Sequence, residues 1–94
     1  MQRKLVYKKH AIHRMAYRDI DESTVEHIFK SGEIIETYPD DTPYPSRLIL
    51  GFDRSNPIHI VLADNPFNNE TYVITVYKPN LSEWNSTFKK RTKQ

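Results

Sequence analysis

The chain has 94 residues, with 14 Lys+Arg against 12 Asp+Glu for a formal charge of +2, and no cysteine. That length holds one domain with one helical layer on a small sheet and leaves no room for an elaborate cofactor fold. Without thiols there are no disulfides, cysteine-based zinc site, iron–sulfur cluster or thiol nucleophile, so no cofactor is expected and any metal would need His and carboxylate ligands.

The charge is uneven along the chain. Residues 1–18 carry Arg3, Lys4, Lys8, Lys9, Arg14 and Arg18 and no acid, the stretch from Asp19 to Asp64 is acidic, and Lys89, Lys90, Arg91 and Lys93 turn the end basic again. Two basic ends that meet on one surface would attract a polyanion. Met1 to Tyr7 lacks the apolar core of a signal peptide and no stretch is long enough to cross a bilayer, so a soluble, cytoplasmic protein without membrane contact is expected.

Leu5 to Tyr7 reads as a short edge strand or an extended lead-in. Over Lys8 to Arg18, Ala11, Ile12, Met15 and Ala16 recur at helical spacing as a buried stripe, with His10 and Arg14 one turn apart on the flank. His10-x-x-His13 has chelating spacing but no third ligand at recognisable distance, so no metal site is expected. Asp21 suits the N-cap of a second helix, Ile20 and Val25 a hydrophobic staple, Val25, Ile28 and Phe29 its apolar face, and Gly32 its C′ stop.

Strands follow at Glu33 to Tyr38, Ser46 to Phe52, Pro57 to Asp64 and Thr71 to Tyr77, separated by the proline-bounded loop Pro39 to Pro45 and by turns at Asp53 to Asn56 and Asp64 to Glu70. Alternation puts Ile58, Ile60 and Leu62 on one face of the third strand and His59, Val61 and Ala63 on the other. The fourth divides into Tyr72, Ile74 and Val76 against Val73, Thr75 and Tyr77. Ser82 to Phe88 fits a short helix with Trp84 and Phe88 packing back on the domain, and Lys89 to Gln94 a frayed end. The expectation is a single α+β domain over 1–94, core about 7–91: two N-terminal helices on one face of a three- to four-strand antiparallel meander, with a short C-terminal helix.

A lone histidine on an apolar strand is most often a core residue with a backbone partner. What argues for chemistry at His59 is the neighbouring strand, because antiparallel pairing that stacks the aliphatic sets also gathers His59, Thr75 and Tyr77 on the opposite face.

His10-Ala11-x-x-Arg14-Met15, Ile20 and Val25, Gly32-Glu33-Ile34-Ile35, Tyr44-Pro45-Ser46-Arg47-Leu48, His59 in its apolar strand, and Ile74-Thr75-Val76-Tyr77, taken in order, resemble the domain-of-unknown-function family DUF4258 from about Tyr7 to Arg91. Asp19 departs from it, since the family usually has glycine there. The family is similar to ribonuclease toxins of the RelE and colicin-nuclease type, which implies a metal-independent RNA endonuclease of the toxin–antitoxin kind, RNA as partner, and a cognate antitoxin of zinc-finger, helix-turn-helix type.

Metal-free cleavage of RNA needs a base for the 2′-hydroxyl, a cation for the phosphorane and an acid for the leaving 5′-oxygen. His59 and His10 suit the proton transfers, Arg14 the phosphate, and Tyr77 a phosphate or base contact. Arg18, Arg47, Thr75 and Arg91 are further candidates for holding RNA. The alternative is a non-catalytic protein- or RNA-binding module.

Overall fold

A computed structural model describes residues 3–92; Met1 and Gln2, and Lys93 and Gln94 at the end of the expected frayed tail, lie outside the described residues. The order is β1 (Lys4–Tyr7), α1 (Lys9–Arg18), α2 (Glu22–Ser31), β2 (Glu33–Tyr38), β3 (Ser46–Asp53), β4 (Asn56–Asp64) and β5 (Glu70–Tyr77). The strands form one five-stranded sheet, β1-β5-β4-β3-β2, antiparallel from β2 to β5 but with β1 parallel to β5. The expected three- to four-strand antiparallel meander is thereby corrected. The chain enters on one edge as β1 and crosses the sheet through both helices to β2 on the opposite edge; the antiparallel series from β2 then brings β5 back beside β1, running in the same direction.

Both helices cover one sheet face. Ala11 and Met15 of α1 and Val25 and Ile28 of α2 meet Ile49, Ile58, Ile60, Leu62, Val73 and Val76 in a single core. The α1 stripe is narrower than its spacing suggests: Ile12 stays 52% exposed. Asp21 caps α2, its carboxylate accepting from Thr24 N–H at 2.9 Å. Gly32 ends α2 with φ −72°, an ordinary extended conformation rather than a left-handed cap. Close approach is what demands glycine there, since a Cβ would lie 2.7 Å from the Ile28 carbonyl oxygen. A left-handed cap is found instead behind α1, at Asp19 with φ 56°, where the resembled family carries glycine.

The alternation on β5 breaks at Ile74. Val61 pairs with Thr75 and Leu62 with Val73, so Ile74 is a bulge. One extra residue lets Val73 and Val76 both face the helices and turns Tyr72, Thr75 and Tyr77 to the open face, whereas strict alternation separates Val73 from Val76.

The expected C-terminal helix is absent. Residues 79–92 run as a strap of turns across the open face and double back as a hairpin, with Asn85 N–H bonded to the Lys90 carbonyl and Thr92 N–H to that of Glu83. The reason is local. The Asn80 carboxamide oxygen accepts from the backbone N–H groups of Ser82 and Glu83, and that of Asn85 from Thr87. Such asparagine turns compete with helix for the same donors.

Candidate functional site

His59 on β4 is fully buried. Its Nε2 lies 2.8 Å from the Phe88 carbonyl oxygen and its Nδ1 3.0 Å from the Tyr77 hydroxyl. A carbonyl only accepts, so Nε2 carries the proton and Nδ1 accepts from Tyr77 O–H. Burial pulls the His59 pKa below its ordinary 6.5, against smaller raising effects from the Phe88 hydrogen bond and Glu36. Burial likewise pushes Tyr77 up to about 12. The pair is thus a neutral imidazole and a protonated phenol, joined in one hydrogen-bonded line to the strap.

The strap closes over this line. Trp84 meets the His59 ring edge-on, with centroids 4.4 Å apart. Arg91 lies over the Trp84 ring at 4.6 Å and grips both carboxylate oxygens of Glu36 on β2, at 3.2 and 3.3 Å. Lys89 pairs with Glu33 at 3.0 Å. Burial would raise the Glu36 pKa, but hydrogen bonds from Tyr38 and Arg91 outweigh it and hold the carboxyl below its usual range.

Beside Tyr77 the surface changes character. β1 pairs with β5 only as far as Val73, and there α1 flanks the strand. Arg14 and Arg18, one helical turn apart, Tyr77, Lys78, Asn80 and Glu83 line a cleft of about 230 Å³. Three cations face one carboxylate. The Arg18 Nε is buried without a hydrogen-bond partner, and among the described residues no side-chain hydrogen bond or ion pair engages Arg14 or Lys78. A buried guanidinium N–H with nothing to bond to is an unsatisfied donor that an anion would complete.

The remaining predicted residues fall elsewhere. His10 is exposed on the first turn of α1 and does not line the cleft, so the structure brings Arg14 and Tyr77 together and leaves His10 outside. Arg47 is bound to Asp64 at 3.1 Å, and Asp64 also holds Arg3 at 3.3 Å. Arg91 is committed to Glu36. Thr75 faces the open side beside Val61. Sequence pattern alone does not mark Lys78, Asn80 and Glu83 as site residues. Only the position of Lys78 directly after Tyr77 hints at it. Among the described residues no three His, Asp or Glu side chains cluster as a metal site requires, and no helix is long and apolar enough to cross a membrane.

The family model described as "Domain of unknown function (DUF4258)" matches residues 7–78. The chain belongs to the DUF4258 family. The match spans both helices, His59, Tyr77 and the three cations of the cleft, and ends at Lys78, immediately before the strap. No curated protein and no solved structure matches the chain, so the similarity to RelE-type toxins that the DUF4258 resemblance implies gains no support from these comparisons.

Proposed function

We propose that this DUF4258 protein binds RNA, with Arg14, Arg18 and Lys78 holding the phosphate backbone in the cleft at the end of β5. The observation that carries this reading is the buried, unpartnered Nε of Arg18 in a cleft with two further unpaired cations. Arginine presents planar N–H donors that match phosphate oxygens, and a lysine beside it adds charge without geometric demand. Arg47 and Arg91, occupied by Asp64 and Glu36, contribute less. The test is titration of a labelled single-stranded oligoribonucleotide, followed by fluorescence anisotropy, with the parent and an Arg14→Gln/Arg18→Gln double variant. The reading expects binding by the parent and its loss in the folded double variant; no binding by the parent rejects it.

Metal-independent cleavage of the bound RNA is the second reading, favoured by one contact: Tyr77 lines the cleft while its hydroxyl holds His59. In that reading the phenol oxygen takes the 2′-hydroxyl proton as its own proton passes to His59 Nδ1, giving an imidazolium that still donates to Phe88. The 2′-oxygen bonds to phosphorus, the P–O5′ bond breaks and the leaving 5′-oxygen takes its proton from water. Arg14 and Arg18 offset the charge growing on phosphate. The raised Tyr77 and lowered His59 pKa values both oppose this transfer, and His10, the expected counterpart of His59 in the proton transfers, does not line the cleft. Binding is therefore the stronger reading. Cleavage that survives excess chelator and is lost in His59→Ala would reverse that order.

A further inference from the structure

The β2–β3 loop, residues 39–45, brings Tyr44 over the half of the open sheet face that the strap leaves uncovered. The Tyr44 ring lies nearly parallel to that of Tyr72 on β5, at 16° with centroids 6.1 Å apart. Tyr72 is fixed from two other sides. Its hydroxyl accepts from the Asn65 carboxamide at 3.1 Å, and the Lys8 ammonium sits 4.5 Å from its ring centroid. Between these groups is a recess of about 380 Å³ whose walls include Lys8, Asp41, Pro43, Tyr44, Tyr72 and Ile74.

Four properties of this recess point to one kind of occupant. Two of its walls are the nearly parallel rings of Tyr44 and Tyr72 and the rest of its apolar lining is Pro43, Ala63 and Ile74, so it suits a planar ring that can stack on a tyrosine. Its rim carries one cation, Lys8, for an anionic linkage and one carboxylate, Asp41, whose Oδ2 accepts from the Ser46 hydroxyl and whose other oxygen can accept from an exocyclic amine. The tyrosines are half-buried and one is already anchored, so little side-chain freedom is lost when a ring docks. Tyr72 and Tyr77 stand on the same face of β5, five residues and roughly 16 Å apart at the rise of a strand, so the recess and the cationic cleft lie toward opposite ends of one strand.

We infer that the Tyr44–Tyr72 recess is a nucleobase subsite, which takes one unpaired base of the strand whose phosphates lie in the Arg14–Arg18–Lys78 cleft. The inference rests on the RNA-binding reading for the identity of the strand, and it deepens that reading by selecting single-stranded over double-stranded nucleic acid. A paired base cannot leave its stack to enter a recess without first being unpaired. Lys8 then neutralises a phosphate next to the docked base.

The test compares two ligands of equal length and charge, a single-stranded oligoribonucleotide and the same ribose-phosphate chain without bases. The parent should bind the base-bearing strand about tenfold or more tightly, the size that base–aromatic stacking supplies. Tyr44→Ala should lower binding of that strand to the abasic level without altering its dependence on salt. Tyr44→Phe should behave as the parent and shows that an aromatic ring, not the hydroxyl, is needed. Equal binding of the two ligands by the parent, or an unchanged affinity in folded Tyr44→Ala, overturns the subsite while leaving backbone binding in place. If neither strand binds, free adenosine decides the matter through the tyrosine ring signals in NMR: shifts at Tyr44 and Tyr72 that vanish in Tyr44→Ala support the subsite and reject only the RNA reading, and no shifts overturn both.

Discussion

His59 donates its Nε2 proton to the carbonyl of Phe88, 29 positions later in the chain, at 2.8 Å. This bond ties the last strapped segment to the centre of the sheet, and Trp84 seals it from solvent. Trp84 is 2% exposed. Replacing it by alanine removes a large buried ring and opens a cavity against His59, with a loss of about 3–5 kcal/mol expected for a tryptophan in such a place. Urea denaturation of Trp84→Ala should show that drop. A loss under about 1 kcal/mol would mean that the strap rests on the sheet without packing.

Stability should also fall in mild acid. With its folded pKa below the ordinary 6.5, His59 binds fewer protons folded than unfolded, so its contribution is complete above pH 6.5 and is lost as pH falls from there toward the folded value. Glu36 and Asp64 are shifted below the usual carboxylate range, so their contributions persist through this window and disappear at lower pH. The groups facing His59 are Tyr77, Glu36 and Arg91. Chemical denaturation between about pH 7.5 and 5 should therefore show a slope that His59→Gln removes. An equal slope in parent and variant would contradict the neutral, buried imidazole.

Asp19 turns the chain out of α1 at φ 56°. Its N–H caps the helix by bonding the carbonyls of Ala16 and Met15, a backbone role that survives substitution. Glycine adopts this conformation without the crowding of a Cβ, so Asp19→Gly should raise stability by about 0.5–1 kcal/mol. Thermal unfolding checks the sign, and a lower midpoint would show that the Asp19 side chain outweighs the backbone term.

Gly51 on β3 faces α2 with no room to spare. A Cβ there would stand 2.5 Å from Ile28 Cγ2, and Ile28 is fully buried. Gly51→Ala should cost about 1–3 kcal/mol through overpacking, read from the denaturation midpoint. Because α2 alone must shift, the cleft beside α1 should keep its ligand affinity, and a parallel loss of binding would show that the two helices move as a unit.

The helices and the four later strands are legible in the sequence because each carries its own signal: the Asp21 cap, the Ile20–Val25 staple, and apolar alternation over Ile58, Ile60 and Leu62. The faces of β4 follow from that alternation, as does the meeting of His59 with Tyr77. What the pattern cannot carry is nonlocal. Four residues at Lys4–Tyr7 reveal nothing of a parallel partner far along the chain, where Lys4 lies beside Glu70 and Tyr7 beside Val73. A bulge at Ile74 leaves no mark in a strand that is apolar on both faces. Trp84 and Phe88 sit four apart as in a helix, yet Asn80 and Asn85 bond the backbone first. The commitment of Arg47 to Asp64 and of Arg91 to Glu36, and the freedom of Arg14, Arg18 and Lys78 from carboxylate partners, depend on which charges the fold brings together.

The dependence of single-stranded RNA affinity on salt tests the central claim most directly. Each cation that neutralises a phosphate releases counterions, so Arg18→Gln and Lys78→Gln should each weaken binding and each lower the slope of log affinity against log salt by roughly 0.7. Arg47→Gln, whose guanidinium already belongs to Asp64, should leave the slope as in the parent. The cleft account predicts that pattern, and equal slopes for the parent, Arg18→Gln and Lys78→Gln would contradict it.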